Sequence, residues 1–216
     1  MKKIILFFVF VSFQSFAQDD IEISATNLME DANSLILNQE IVITIDAYNK
    51  MNINIKKEIL VLNEKGLSAV NAVEYYNDNT KVKDLEAIVY DAQGNKLEKF
   101  KKRDFIDVSA VSSGTMYSDD RIYYLKYTPR NYPIKIVYTS EKETSNTAFI
   151  RSFRPITSYN QGVLKTSFRI INNSDTELRS HKNEFVDERI QEKTTAKSFS
   201  YVAENLPAVK RETYSP

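Results

Sequence analysis

Residues 35–47 alternate Ile41, Ile43 and Ile45 with Val42, Thr44 and Asp46, the period of two that belongs to a strand with one covered face. Runs of this kind recur along most of the chain, broken at short intervals by turn residues. That spacing narrows the fold to an antiparallel all-β arrangement. Residues 53–63 follow across a turn at 49–52, and the unbroken stretch Ile59-Leu60-Val61-Leu62 predicts burial on both faces. Residues 85–90 and 96–100 flank Asp91-Ala92-Gln93-Gly94-Asn95, a hairpin loop in which Gly94 takes a positive φ without steric cost. Residues 122–127 and 134–139 form a further predicted pair, joined through Pro129 and Pro133; Tyr132, Ile134, Ile136 and Tyr138 share one face, with Lys135 opposite. Residues 163–171 and 177–181 flank the turn signal Asn172-Asn173-Ser174-Asp175, and 185–191 with 197–202 complete the set. Residues 67–76 support at most a short helical turn. The economical solution is an antiparallel β-sandwich over residues 32–205, as one unit or as two sandwich-like halves meeting near Arg154. Residues 206–216, polar and holding Pro207 and Pro216, read as a tail or linker.

The N-terminus has a different character. Lys2 and Lys3 precede an apolar run at 4–11, and Ser15-Phe16-Ala17 places small residues where a signal peptidase reads. This layout predicts a secretory signal peptide over 1–17, a mature start at Gln18, a lead-in over 18–31, and a periplasmic or secreted protein. No segment reaches the roughly 20 apolar residues of a membrane-spanning helix, so no transmembrane segment is expected. The sequence has no Cys, which removes disulfides, thiolate metal sites, Cys nucleophiles and a lipid anchor on an N-terminal Cys. Its 29 basic and 29 acidic side chains cancel, so no long-range field draws nucleic acid or an anionic membrane.

No residue pattern implies a bond-making chemistry. His181 is the only histidine, too few for a multi-His metal site, and there is no G-x-S-x-G elbow to pair it with a serine. With four glycines in the chain, phosphate-cradling loops are missing too, and no cofactor is expected. Paired carboxylates of the glycosidase kind could come from Asp104 with Asp107, from Asp119-Asp120, or from Glu184 with Asp187 and Glu188. Adjacent acids on a strand point to opposite faces, however, which keeps Asp119 and Asp120 from converging on one atom. Ser118, Asp119 and Asp120 offer oxygens suited to Ca²⁺ but lack the twelve-residue loop pattern; a turn opening a strand at Arg121 accounts for them. Lys99, Lys101, Lys102 and Arg103, flanked by Glu98 and Asp104, read as a solvated strand end. The residues left for a binding surface are Tyr123 and Tyr127, with Asp119 and Asp120 beside them.

Several stretches in a set order carry a resemblance. Asn63-Glu64-Lys65-Gly66 follows an apolar strand, and Lys83-Asp84-Leu85-Glu86-Ala87 leads to Tyr90-Asp91-Ala92-Gln93-Gly94-Asn95. Lys102-Arg103-Asp104-Phe105-Ile106-Asp107, Met116-Tyr117-Ser118-Asp119-Asp120-Arg121 and Tyr132-Pro133 come next, and Tyr201-Val202-Ala203-Glu204-Asn205-Leu206-Pro207-Ala208 closes the series. From about Ala32 to Pro216 the chain resembles the domain of unknown function 3857, which precedes a transglutaminase-like core in exported bacterial proteins. Members usually carry Trp in the exit strand; this chain has none, and Phe199, Tyr201 or Phe153 stand as replacements. The resemblance implies no catalytic residues. It implies an accessory module, since a transglutaminase-like core needs Cys, His and Asp on a separate fold. The expectation is a non-catalytic exported module that partners such a core or binds envelope protein or glycan. A carboxylate-dependent hydrolase of envelope polymers and a self-associating structural envelope protein are the alternatives.

Overall fold

A computed structural model of the chain describes residues 27–110, 119–179, 181 and 188–211. The leader at 1–17, the lead-in up to residue 26, and the candidate residues Ser118, Glu184 and Asp187 lie outside them. β1 (Ser34–Ala47) and β2 (Lys50–Val61) form the hairpin that the alternation predicts, with Ile41 opposite Ile55 and Ile43 opposite Ile53. β2 pairs with β8 (Ile134–Thr144), and β8 pairs with β4 (Thr80–Tyr90). β4 returns as β5 (Lys96–Lys101) across the predicted loop, where Gly94 has φ 83°. The other side of β1 receives β9 (Gln161–Asn172), then β11 (Ser198–Leu206) and β10 (Ile190–Thr195). These strands make one eight-stranded sheet, ordered β10-β11-β9-β1-β2-β8-β4-β5, antiparallel throughout except for the parallel β1–β9 ladder.

A second, three-stranded sheet consists of β3 (Val73–Tyr76), β7 (Arg121–Tyr124) and β6 (Ile106–Ser109). Together with a 3-10 helix at Glu64–Val70 it covers part of one face of the large sheet. The fold is the expected all-β sandwich, of two unequal layers. No helix among the described residues is long and apolar enough to cross a bilayer.

The covered face holds two apolar clusters. Ile36, Ile59, Val61, Ile134, Ile136, Val89 and Val163 meet the small sheet and its helix through Val70, Ala72 and Phe105. Ile41, Ile43, Ile45, Met51 and Phe168 form the other cluster, roofed by Ile150, Phe153 and Leu178. Phe153 stacks on Phe168 at 5.6 Å and on Tyr201 at 5.8 Å, which closes this cluster with aromatic rings.

Between the clusters runs one ladder row, Ala203–Thr166–Gln39–Lys57–Tyr138–Ala87, with polar groups at its centre. A bulge in β1 between Ile36 and Asn38 sets this row. Without the extra residue, strict alternation would turn Asn38 inward and every later Ile of β1 outward. Gln39 Nε2 donates to Thr166 Oγ1 at 3.2 Å, satisfying both inside the sheet.

Several local expectations need correction. Residues 122–127 and 134–139 do not pair with each other. β7 lies between β3 and β6, whereas β8 lies between β2 and β4, and the proline-bearing segment passes from one sheet to the other. Residues 177–179 and 181 form no strand, and β9 pairs with β11 instead. There the Asn172 side chain organises the loop: Nδ2 donates to the Thr176 carbonyl at 2.7 Å, and Oδ1 accepts from Ser174 N–H at 3.1 Å. The strand expected at 185–191 falls partly outside the described residues, and β10 begins at Ile190. Ile59 and Val61 are buried but Leu60 and Leu62 are only half-buried, because the outer face of the large sheet is mostly open to solvent.

Backbone approach is tightest at Gly66, in the 3-10 helix. A Cβ there would lie 2.1 Å from the Asn33 carbonyl oxygen, an atom that cannot swing aside. Gly66→Ala is expected to lower stability by about 2 kcal/mol, in the usual range for overpacking. Urea unfolding measures it; an unchanged midpoint would contradict this contact.

Candidate functional site

The loop after β4 and the strand β5 form one wall of a groove of about 900 Å³, and residues 126–134 form the other. Asp91 shapes the first wall. Its Oδ1 accepts the N–H of Gln93 at 3.0 Å and of Asn95 at 2.8 Å, while Oδ2 accepts Asn95 Nδ2 at 3.0 Å. The bond from the Asn95 side chain holds this carboxyl below its ordinary range, with burial opposing it and the backbone N–H groups of Asn95 and Gln93 adding to it. The second wall is pinned where Leu125 N–H donates to the Ala72 carbonyl at 3.0 Å and where Tyr127 meets Phe100 edge-on at 5.6 Å. Partial burial raises the hydroxyl pKa of both Tyr127 and Tyr132.

Leu97, Phe100, Tyr127 and Tyr132 supply apolar surface to the groove, and Asp91, Glu98, Lys126 and Arg130 bring both signs of charge. The lining contains no Ser, Cys or His; its titratable side chains are Asp91, Glu98, Lys126, Tyr127, Arg130 and Tyr132. Rings, amides and charges of both signs around one groove suit non-covalent recognition. A smaller hollow of about 260 Å³ on the outer face of the large sheet involves Glu40, Lys56, Asp84 and Glu141.

Between the two sheets lies a buried charge network. Glu74 on β3 is 4% exposed and reaches the large sheet. Its Oε1 accepts the Tyr138 hydroxyl at 3.0 Å and its Oε2 pairs with Lys142 Nζ at 2.5 Å, both from β8. Lys57, 8% exposed and opposite Tyr138 in the ladder, donates its ammonium to the Val70 carbonyl. Desolvation lowers the Lys57 pKa to about 8; Glu74 opposes that shift and Arg151 adds to it. Burial, and then the negative charge of Glu74, push the Tyr138 hydroxyl far above its ordinary range.

The sequence profile described as Domain of Unknown Function with solved-structure structure (DUF3857) matches residues 48–210, from the β1–β2 turn to beyond β11. The chain belongs to this family. Among solved structures, a "putative protease" from Parabacteroides distasonis matches with a TM-score of 0.63 at 12% identity. That match covers 85% of this chain and 38% of the other, so the chain spans well under half the length of that protein. A "putative nutrient binding protein" from Legionella pneumophila gives a TM-score of 0.37 at 9% identity, covering 86% of this chain and 65% of that one. No protein of curated function matches in sequence.

In this DUF3857 domain the four residues named as a binding surface separate. Tyr127 lines the groove. Tyr123 lies in the small sheet, stacked on Tyr76 at 4.7 Å, with Lys102 Nζ 5.5 Å from its ring. Asp119 Oδ2 accepts the Asp78 N–H at 2.8 Å, and Asp120 Oδ1 accepts Asn77 Nδ2 at 3.0 Å. These acids hold a turn beside the start of β7. Asp104 accepts the Lys101 N–H at 2.8 Å, and Asp107 accepts from Tyr76 at 2.8 Å and from Arg121 Nε at 3.0 Å. None of Asp104, Asp107, Asp119 and Asp120 lines either hollow.

The basic cluster at Lys99–Arg103 is likewise dispersed: Lys99 pairs with Glu86 at 2.6 Å, and Lys102 donates to the Val82 carbonyl. His181 is exposed. Sequence reasoning missed Glu74, Lys57, Phe100 and Arg130. The one available signal was Lys57, which breaks the apolar alternation Ile53, Ile55, Ile59, Val61 on its face.

The Lys57 shift has a definite pH signature. Below pH 8 the ammonium is charged in both folded and unfolded chains, and the folded state bears the full cost of burying it. Between about 8 and the ordinary value of 10.5 the folded protein sheds the proton while the unfolded chain keeps it, so stability rises with pH. The gain is on the order of 3 kcal/mol. Urea unfolding at pH 7.5 and 9.5 is expected to show the rise in wild type and its loss in Lys57→Met. Equal slopes in the two proteins would refute the assignment. Glu74→Gln, which leaves Lys57 and Lys142 without their anion, is expected to cost about 3 kcal/mol at neutral pH by the same measurement.

Proposed function

We propose that this domain is an exported, non-catalytic module that serves a transglutaminase-like, peptidase-type core and binds envelope protein or glycan in the groove beside β5. The observation that carries the reading is the recurrence of the fold, at a TM-score of 0.63, as 38% of the Parabacteroides protein named for protease activity. A transglutaminase-like core works through Cys, His and Asp. This chain has no Cys, so such chemistry belongs to a separate fold. Aromatic rings and charges of both signs in the groove give it the means to hold an extended polymer without reacting with it. The leader residues Lys2, Lys3 and Ser15-Phe16-Ala17 support export, with Gln18 as the first mature residue.

The test assays a separately produced transglutaminase-like core on a peptide substrate, with and without this chain. The chain alone is assayed on the same peptide, and its co-sedimentation with isolated cell-wall sacculi is measured. The expected result is no product from the chain alone, together with sedimentation with sacculi or a raised kcat/KM of the core. Phe100→Ala combined with Tyr127→Ala should weaken the sedimentation with sacculi about tenfold, the size of ~1.4 kcal/mol of lost contact. Product released by the chain alone, or no effect in both assays, would overturn the proposal. N-terminal sequencing of protein recovered from the periplasm should begin at Gln18; an intact Met1 would remove export from it.

A further inference from the structure

The small sheet is polar on its inner side and apolar on its outer side. Strand alternation turns Glu74, Tyr76, Asp107, Arg121 and Tyr123 to one face, where Glu74 meets Tyr138 and Lys142 of the large sheet. The opposite face carries Val73, Tyr75, Ile106, Val108, Ile122 and Tyr124. They form two register rows, Val73–Tyr124–Ile106 and Tyr75–Ile122–Val108, across all three strands. Tyr75 is 64% exposed, Val108 37% and Ile106 36%, and the other three are half-buried. None of the six is charged. The strand β6 is exposed along its whole length, and among the described residues no strand pairs with its outer edge.

The size of this face decides between occupants. Three strands about 4.8 Å apart and four residues long at roughly 3.3 Å each span on the order of 200 Å². A stable complex of two separate proteins buries about 800 Å² on each partner, so a second copy of the chain is poorly held by this patch alone. A partner attached to the same chain faces an effective concentration of about 1 mM and needs far less. It must also be apolar where it touches, since a charge desolvated against these six side chains would find no counterion. We infer that the outer face of the small sheet seats an apolar surface of the transglutaminase-like core. The inference rests on the accessory reading above, and none of the six residues lines the groove beside β5.

The test titrates a separately produced transglutaminase-like core to about 1 mM against three forms of the chain, with heat or intrinsic fluorescence as readout. The forms are wild type, Tyr75→Lys with Val108→Lys, and Phe100→Ala with Tyr127→Ala. Melting curves establish that each is folded, and Val108→Glu alone replaces the double variant if that one is not. The expected result is at least tenfold weaker binding for the small-sheet variant and unchanged binding for the groove variant. Equal binding by all three would overturn this inference and leave the accessory reading standing. No binding by wild type at the highest concentration would overturn this inference, and the accessory reading with it if the chain does not sediment with sacculi either. Sedimentation of the chain alone supplies the remaining arm: a wild-type dimer that Tyr75→Lys dissociates would make a second copy the occupant, and the inference would fall.

Discussion

Glu74 is a buried acid of the small sheet held by side chains of the large one, and the layout of the covered face follows from what its charge requires. A carboxylate taken out of water must be met by donors or cations, and here Tyr138 and Lys142, on one face of β8, supply them. Lys57 enters the same seam from β2 at a cost of about 3 kcal/mol, comparable with what burying one or two isoleucines returns. Buried charge is a poor source of stability, but a small sheet of four-residue strands has little other means of fixing its position. A one-residue slip of β8 would carry Tyr138 and Lys142 to the outer face and leave Glu74 bare, so the network penalises every wrong register.

The polar row also explains why there are two apolar clusters instead of one. Thr166, Gln39, Lys57 and Tyr138 lie side by side on four neighbouring strands, and the bulge after Ile36 brings Gln39 into line with them. On one side the small sheet and the 3-10 helix close the core; on the other, Phe153 and its loop do so. The groove belongs to the first side, where residues 126–134 must travel from the small sheet back to the large one and leave a hollow against β5. Its existence is a consequence of changing sheets between β7 and β8.

Much of the large sheet was legible in the residues. The Ile41, Ile43, Ile45 alternation placed β1, and the Asp91–Asn95 loop placed the β4–β5 hairpin. Ile134, Ile136 and Tyr138 were correctly assigned to one face of β8, with Tyr132 packed on the same cluster from the segment before it. Those signals are local. A turn type or a period of two is written within ten residues, and solvent on one side is enough to reveal it. The misassigned partners have the opposite character. Residues 122–127 and 134–139 are neighbours in sequence with the patterns of a hairpin, and nothing in either run indicates that β3 and β6 compete successfully for the first. Tyr123, Tyr127, Asp119 and Asp120 find different surroundings for the same reason: alternation gives the side of a strand, not the sheet against which that side lies.

What the sequence determined alone was the all-β class, most strand positions, the turn chemistry and the family, because each rests on patterns carried by consecutive residues. The tertiary structure decided the division into a large and a small sheet and the single parallel ladder between β1 and β9. It also decided the meeting of Glu74 with Tyr138, 64 residues further along the chain. Glu74 looks like any strand glutamate until the small sheet turns it inward. Its environment, and with it the pKa of Lys57, is made by elements brought together only on folding, where distance in space replaces distance along the chain as what a charge responds to.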